Sequence, residues 1–172
     1  DHLPFYGHAG VETPALSALR KDAVLFERAY SHVPLTLPSH ASVLTGRVPQ
    51  DHGIHDNLGY KLRKDVPTLA ELLKPAGYAT GTAISCYVLK GDTGMARGFD
   101  FYDDQVDPAE GQSALGRVQR VGTETESRLE GWLGSQKPGS PVLAFLHLYE
   151  PHTPYEPPEP WKSRYKEPYD GE

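Results

Sequence analysis

The alternation of apolar and polar residues along the chain predicts β-strands that are separated by helices. Short runs rich in apolar and β-branched residues predict strands at residues 24–30, 78–85 and 141–149, with a further short strand at 99–102. The run at 141–149 is almost entirely apolar, which is typical of a strand that is buried on both faces of a parallel sheet.

Capping residues and glycines mark where the predicted helices begin and end. Thr13 and Pro14 are suited to start a helix, and Gly46 is suited to end one. The predicted helices are residues 14–22, residues 38 or 39 to 45, residues 68–74 and residues 115–133. Strands that alternate with helices predict an α/β fold, arranged as an α/β/α sandwich with a mostly parallel central sheet.

Composition and charge narrow the classes of function. The formal net charge of -6 argues against a general nucleic-acid-binding protein, because such a protein presents a basic surface. Cys86 is the only cysteine, which excludes a disulfide framework within the chain and a multi-cysteine zinc site. The chain has no run of about 18 or more apolar residues, so no membrane span is predicted in this segment.

Residues 36–46, TLPSHASVLTG, form the most informative segment of the chain. Thr36 follows a loop and precedes a predicted helix. In a doubly wound sheet such positions lie at the carboxyl ends of the strands, where ligands bind. Helix N-termini also favour anionic groups such as phosphate or sulfate. For these residues taken alone, an ordinary helix cap formed by Thr36 and Ser39 is the alternative explanation.

This segment resembles the nucleophile loop and following helix of the sulfatase family, in the alkaline phosphatase superfamily. The family pattern is a nucleophile, any residue, Pro, Ser, a basic residue, several small or apolar residues, and then Thr-Gly. The resemblance places Thr36 at the nucleophile position and His40 where sulfatases carry arginine. It implies a hydrolase of sulfate or phosphate esters that works by nucleophilic attack. Thr36 and His40 would be catalytic, Ser39 would bind substrate, and Thr36 would also contact the metal.

Thr36 is also a departure from the sulfatase pattern. Sulfatases need Cys or Ser at this position for oxidation to formylglycine, and threonine cannot form that aldehyde. Threonine nucleophiles do occur in phosphodiesterases, phosphoglycerol transferases and phosphomutases of the superfamily. Three outcomes are therefore open: a phosphoester enzyme, a sulfatase homologue with altered chemistry, or an inactive homologue.

Two further segments carry the resemblance. FLHLYEPHTPY, residues 145–155, resembles the sulfatase segment in which a buried strand leads to a histidine that contacts the anionic group of the substrate. The matching residue is His152, which we expect to be catalytic, whereas His147 is either a substrate-binding or a core histidine. GYATGTA, residues 77–83, resembles the strand that ends in Gly-Lys-x-His. Ser85 and Tyr87 stand at the Lys and His positions, so both charged sulfate ligands are missing.

The resemblance implies a divalent metal ion as cofactor. Its oxygen ligands suit calcium, magnesium or manganese, and zinc is used by some phosphoesterase members. Most of these ligands are expected outside residues 1–172, which we interpret as the N-terminal part of a single sulfatase-like catalytic domain. That part would lack the first strand and the C-terminal portion, and would be inactive alone. The pairs Asp103-Asp104 and Asp56-Asn57 are interpreted as solvated turn residues.

The expected substrate is a small molecule or glycan that carries a sulfate or phosphate ester. The resemblance favours an extracytoplasmic location, whether periplasmic, secreted or membrane-tethered. The first alternative is a non-catalytic sulfatase homologue that serves as a binding or structural module. The second is an unrelated α/β binding domain that holds phosphate at a helix N-terminus and needs no metal.

Overall fold

The computed structural model describes residues 2–108, 114, 118–150, 152, 153, 155 and 157–164. Residues 31–152 form one compact unit, and residues drawn from 1–30 and 153–172 form another. The helices are α1 (Pro14–Arg20), α2 (Thr36–Thr45), α3 (Pro49–His52), α4 (Leu69–Leu73), α5 (Gly122–Gly134) and α6 (Trp161–Arg164). The strands are β1 (Ala79–Ile84), β2 (Phe101–Asp103) and β3 (Val142–His147). No helix among the described residues is long and apolar enough to cross a membrane.

The described part of the chain contains a three-stranded parallel sheet in the order β2-β1-β3. Residue 79 of β1 is paired with residue 142 of β3, and residue 81 with residue 101 of β2. Because all strands run the same way, Ile84, Asp103 and His147 lie at the same, carboxyl edge. The predictions of a mostly parallel sheet and of strands at 78–85 and 141–149 are confirmed.

Helix α5 packs directly on the central strand. A Cβ atom on Gly81 of β1 would lie 2.5 Å from the ring of Trp132, so glycine allows the helix to approach the strand closely. The same indole ring stacks on Phe101 of β2, with ring centroids 5.9 Å apart. One aromatic side chain therefore joins α5 to both strands.

Helix α2 supplies a large part of the hydrophobic core through Leu37, Ala41 and Leu44, which are all buried. The helix ends where the sequence predicted, because Gly46 takes the left-handed conformation with φ of 65°. Thr68 and Glu71 form a reciprocal capping box at the start of α4, which accounts for the predicted helix at 68–74. In α1, Thr13 is at the cap position, but its side chain makes no cap hydrogen bond.

The predicted strand at residues 24–30 is wrong. These residues have no regular secondary structure, and Val24, Phe26 and Tyr30 are 81%, 69% and 83% exposed. The carbonyl oxygen of Phe26 accepts a hydrogen bond from the Tyr6 hydroxyl instead of a ladder bond. An apolar run alone does not form a strand when its side chains have no layer to pack against.

The predicted helix at residues 115–133 begins only at Gly122. Residues 115–117 lie outside the described part of the chain, and residues 118–121 are extended. Their backbone bonds to the segment after β1: Tyr87 N donates to Val118 O (3.1 Å), and Arg120 N donates to Ser85 O (2.8 Å). These tertiary hydrogen bonds replace the helical ones.

The prediction that β3 is buried on both faces is also wrong. Only His147 of this strand is buried, and Leu146 is 39% exposed. The strand is at the edge of the described sheet, so its side chains are covered less than those of β1.

Candidate functional site

Thr36 is the first residue of α2 and follows an extended residue, Leu35. Leu37 and Pro38, the next two residues, are buried and fix this end of the helix in the core. Thr36 itself is only half-buried. The local fold thus holds a hydroxyl-bearing residue at the surface on a rigid helix start.

His40 lies one turn further along α2 and is tied to the same residue. Its Nδ1 donates a hydrogen bond to the carbonyl oxygen of Thr36 (2.7 Å). Since that oxygen can only accept, Nδ1 carries the proton and Nε2 carries the lone pair. Burial lowers the pKa of His40, and the bond to Thr36 offsets part of that effect. A neutral imidazole therefore stands where the family pattern has a permanent positive charge.

His147, at the carboxyl end of β3, packs edge-on against His40 with ring centroids 4.9 Å apart. Burial, and then the neighbouring His40, lower the pKa of His147 to about 4. Its Nδ1 atom is buried without a hydrogen-bond partner among the described residues. The structure thus brings Thr36, His40 and His147 together, with His147 behind His40.

Asn57 belongs to this group, although the sequence interpretation placed it in a solvated turn. Its Oδ1 accepts a hydrogen bond from the backbone N–H of Leu37 (2.9 Å), and its own N–H donates to Asp56 Oδ1 (2.6 Å). No periodicity in the sequence signals a bond that spans 20 residues. Pro38 has no N–H, so the first turn of α2 has few free donors. Asn57 occupies one of them, which could otherwise have bound an anion.

Ser39 and His152 take different places. The Ser39 hydroxyl is 3.0 Å from the hydroxyl of Ser31, which anchors the preceding loop. The backbone N–H of His152 donates to Tyr149 O (3.0 Å), and the two rings are 4.4 Å apart. The Tyr149 side chain lies in the same hydrophobic core as Leu37. His152 therefore lies on the β3 side of the core that carries α2.

Ser85, at one of the two missing cationic positions, is buried. Its hydroxyl is 2.6 Å from that of Thr125. Thr125 also accepts from Arg120 Nε (3.0 Å), and Arg120 donates to the carbonyl oxygen of Ile84 (2.9 Å). Ser85 is therefore part of a buried polar network that joins α5 to the carboxyl end of β1.

The interpretation of Asp103 and Asp104 as solvated turn residues is wrong. Asp103 is buried in β2 and pairs with the buried guanidinium of Arg120. Asp104 Oδ2 accepts a hydrogen bond from Gly91 N (2.8 Å). Both carboxylates hold loops and strands in place and are not exposed metal ligands.

The residues that the structure describes do not form a metal site on their own. No group of three or more His, Cys, Asp or Glu side chains among them is arranged to hold a metal ion. Of the residues brought together at the start of α2, Thr36 could contribute an oxygen to an ion bound there. A metal here would therefore need most of its ligands from elsewhere in the protein.

Comparison with known proteins places the chain in a family. The sulfatase family model matches residues 1–171. The arylsulfatase of Klebsiella aerogenes is 27% identical over 99% of this chain and 44% of its own length. An ulvan-active sulfatase of Formosa agariphila is 41% identical over 45% of this chain, and arylsulfatase A of Bos taurus is 40% identical over 47%. The alignments cover 15% and 17% of those two proteins, so this chain spans less than half the length of these curated relatives.

Solved structures agree at the level of the fold. BT4656, in complex with its substrate D-glucosamine-2-N,6-O-disulfate, aligns with a TM-score of 0.71 and 21% identity over 90% of this chain and 33% of that one. The phosphonate monoester hydrolase of Agrobacterium radiobacter aligns with a TM-score of 0.69 and 22% identity over 95% of this chain and 41% of that one. The fold is therefore alkaline-phosphatase-like. Because the family model covers nearly every residue, the chain belongs to the sulfatase family.

Proposed function

We propose that the full-length protein hydrolyses sulfate or phosphate esters by nucleophilic attack from Thr36. One observation carries the proposal: Thr36, which the resemblance places at the nucleophile position, bears a hydroxyl and starts a helix whose backbone is held there by side-chain hydrogen bonds. The Thr36 carbonyl is bound by His40, and the N–H of the following residue, Leu37, is bound by Asn57. A nucleophile held in this way loses little entropy on reaching the ester.

In the proposed reaction the Thr36 oxygen forms a bond to sulfur or phosphorus, and the bond from that atom to the ester oxygen breaks. The proton of the Thr36 hydroxyl goes to the departing oxygen, which leaves as an alcohol. Water then cleaves the Thr36 ester and releases sulfate or phosphate. His40 positions the Thr36 peptide, and His152, with Ser39 and His147 as further candidates, would contact the anionic group. A divalent ion, calcium, magnesium or manganese with zinc as the other choice, would lower the pKa of a bound hydroxyl.

The side chain at position 36 bears on the choice between sulfate and phosphate. Threonine cannot supply the formylglycine aldehyde that the family pattern requires for sulfate esters, and its hydroxyl can attack a phosphoester directly. The side chain of Thr36 thus favours a phosphate ester, whereas membership of the family favours a sulfate ester. The proposed substrate class keeps both esters, carried by a small molecule or by a glycan. Several relatives are sulfatases by name, and the fold is shared with a phosphonate monoester hydrolase.

A second candidate function is that of a non-catalytic sulfatase homologue that acts as a binding or structural module. The specific observation that favours it is the state of the missing cationic positions. Ser85 is held by Thr125 in the interior, and His40 is kept uncharged by burial. Neither supplies the positive charge that an ester anion needs.

The two functions are separated by kinetics on the full-length protein. Aryl sulfates, aryl phosphate monoesters and aryl phosphate diesters are assayed with and without added divalent metal. The Thr36→Val variant keeps the side-chain shape and removes the hydroxyl, whereas Thr36→Ser keeps the hydroxyl. Metal-dependent turnover that is lost in Thr36→Val and retained in Thr36→Ser is the expected result. Absence of turnover on every ester, together with absence of bound metal, refutes it and favours the non-catalytic homologue.

A further inference from the structure

Glu150 lies between β3 and His152, and its carboxylate bonds to the start of α5. Its Oε1 accepts a hydrogen bond from the backbone N–H of Gly122, the first residue of that helix (3.0 Å). Val121, the residue before the helix, makes no side-chain cap. Glu150 therefore does the work of an N-cap residue, although it is 28 residues away in the sequence. The reaction proposed above gives it no role.

The start of α5 has space for this carboxylate because Gly122 has no side chain. Gly122 is buried, and a Cβ atom on it would lie 2.9 Å from Glu150 Oε2 and 3.3 Å from Leu148 Cδ2. A negative charge at this end of a helix also interacts favourably with the helix dipole. The geometry and the charge of Glu150 thus both fit the place that it occupies.

The helix that receives Glu150 is held on the central strand of the sheet. The ring of Trp132, in its last turn, packs over Gly81 of β1. Near its start, the Thr125 hydroxyl is 2.6 Å from the hydroxyl of Ser85, which directly follows β1. A hydrogen bond from Glu150 to α5 therefore ties the segment after β3 to the carboxyl end of β1.

Tyr149 provides a second fixed point for the same segment. Its side chain is 7% exposed and packs in the hydrophobic core. Its carbonyl oxygen accepts a hydrogen bond from the backbone N–H of His152 (3.0 Å), and the two ring centroids are 4.4 Å apart. The turn that carries His152 is thus held by Tyr149 in the core and by Glu150 on α5. Two fixed points set the direction of a turn, whereas one would allow it to rotate.

We infer that Glu150 is a positioning residue, which holds the turn after β3 so that His152 meets the anionic group of the ester. The inference rests on the proposed function for the role of His152. It does not require that the ester is cleaved, because binding of the anion alone uses the same contact. Glu150 acts through His152, since its own negative charge would repel an anion that it touched.

The test measures the Kd of inorganic phosphate and of inorganic sulfate for the full-length protein with added magnesium, by isothermal titration calorimetry. Glu150→Ala removes the carboxylate, and Gly122→Ala displaces it by placing a methyl group beside it. Glu150→Gln keeps an oxygen that can accept the hydrogen bond. The matched controls are Glu130→Ala, which changes an exposed glutamate of α5, and Gly131→Ala, which adds a methyl group in open space on that helix.

A double-mutant cycle separates positioning from simple stabilisation of α5. Glu150→Ala is therefore also made in a His152→Ala background. A residue that acts through His152 loses its effect on anion binding once that imidazole is gone. A residue that only caps α5 would lower Tm in both backgrounds and leave the Kd unchanged in both.

We expect Glu150→Ala and Gly122→Ala to weaken anion binding about tenfold, because a hydrogen bond to a charged group is lost or misdirected. Glu150→Gln and both controls should stay within about threefold of the wild type. In the His152→Ala background, the effect of Glu150→Ala should fall below about twofold. Tm should fall by no more than about 4 °C in Glu150→Ala, since the change removes only a helix cap.

The inference is overturned if neither anion binds at concentrations up to roughly 20 mM, or if Glu150→Ala binds both as the wild type does. It is also overturned if the effect of Glu150→Ala persists without the His152 side chain. Tighter binding in both Glu150→Ala and Glu150→Gln would overturn it as well, because the carboxylate would then face the anion directly. Failure of ester hydrolysis with the expected binding pattern intact would refute only the proposed reaction.

Discussion

His147 makes the stability of this fold sensitive to acid. Its side chain is 8% exposed, and its Nδ1 has no hydrogen-bond partner among the described residues. The ring of His40, on α2, packs against it, and this neighbouring imidazole lowers the pKa of His147 further. A proton on His147 would therefore be buried beside a second imidazole with no compensating negative charge.

The sign and size of the effect follow from the two pKa values. In the unfolded chain the pKa of His147 is 6.5, and in the folded protein it is about 4. Above pH 6.5 both states are neutral, so the full stability is present. As the pH falls from 6.5 toward 4, His147 binds a proton in the unfolded state and stays unprotonated in the folded state. At ~1.4 kcal/mol for each pH unit, the free energy of unfolding falls by about 3 kcal/mol over that range.

This loss is measured by urea unfolding of the full-length protein at several pH values between 7.5 and 4.5. Tryptophan fluorescence is the signal. The variant is His147→Gln, which keeps a polar side chain of similar length and does not titrate. The control is His55→Gln, which removes an exposed histidine. We expect His147→Gln to have a distinctly shallower loss of stability below pH 6.5, and His55→Gln to follow the wild type. An unchanged pH dependence in His147→Gln refutes the assignment of the acid sensitivity to this residue.

Other substitutions test the remaining interactions. Asn57→Ala leaves a first-turn N–H of α2 unpaired, so it should destabilise the protein by about 1–3 kcal/mol in urea unfolding and lower kcat in kinetic assays. Asn57→Asp keeps the acceptor, so its losses of stability and of kcat should both be smaller. Arg120→Met leaves Asp103 buried without its partner and should cost about 3–5 kcal/mol in urea unfolding, and the added change Asp103→Leu should restore much of that loss. Gly98 has a φ of 82°, and a Cβ at this position would lie 2.3 Å from the backbone of α4, so Gly98→Ala should lower Tm by several degrees. Gly131→Ala, in open space on α5, is the comparison and should leave Tm unchanged or slightly higher.

The sequence predicted those parts of the fold whose signals are local. Gly46 ends α2 because few other residues take the left-handed conformation there, and the capping box before α4 needs only residues three apart. The start of α2 was predicted two or three residues too late, because Thr36 and Leu37 are already helical. The role of Thr36 as nucleophile stays a prediction.

The parts that sequence reasoning missed depend on contacts between distant residues. Residues 118–121 are extended because they bond to the segment after β1, and no local rule anticipates that partner. Asn57 reaches Leu37 across 20 residues, and Asp103 is buried only because Arg120 returns to meet it. Polar residues that resemble a solvated turn in the sequence are therefore the ones that the tertiary structure buries or brings to the site.

The supply of positive charge decides between the catalytic and the non-catalytic hypotheses. At positions 40, 85 and 87 the family pattern has cationic or sulfate-binding side chains. In this chain His40 is an uncharged imidazole, Ser85 is a buried hydroxyl, and Tyr87 is a phenol that lines a cavity. Lys90, which is nearby in sequence, is already paired with Asp107. An ester anion at Thr36 must then be neutralised by groups outside this set, and a divalent ion at the Thr36 hydroxyl would do so while activating the nucleophile. Metal content of the full-length protein, compared with that of Thr36→Val, therefore tests the chemistry before any substrate is known.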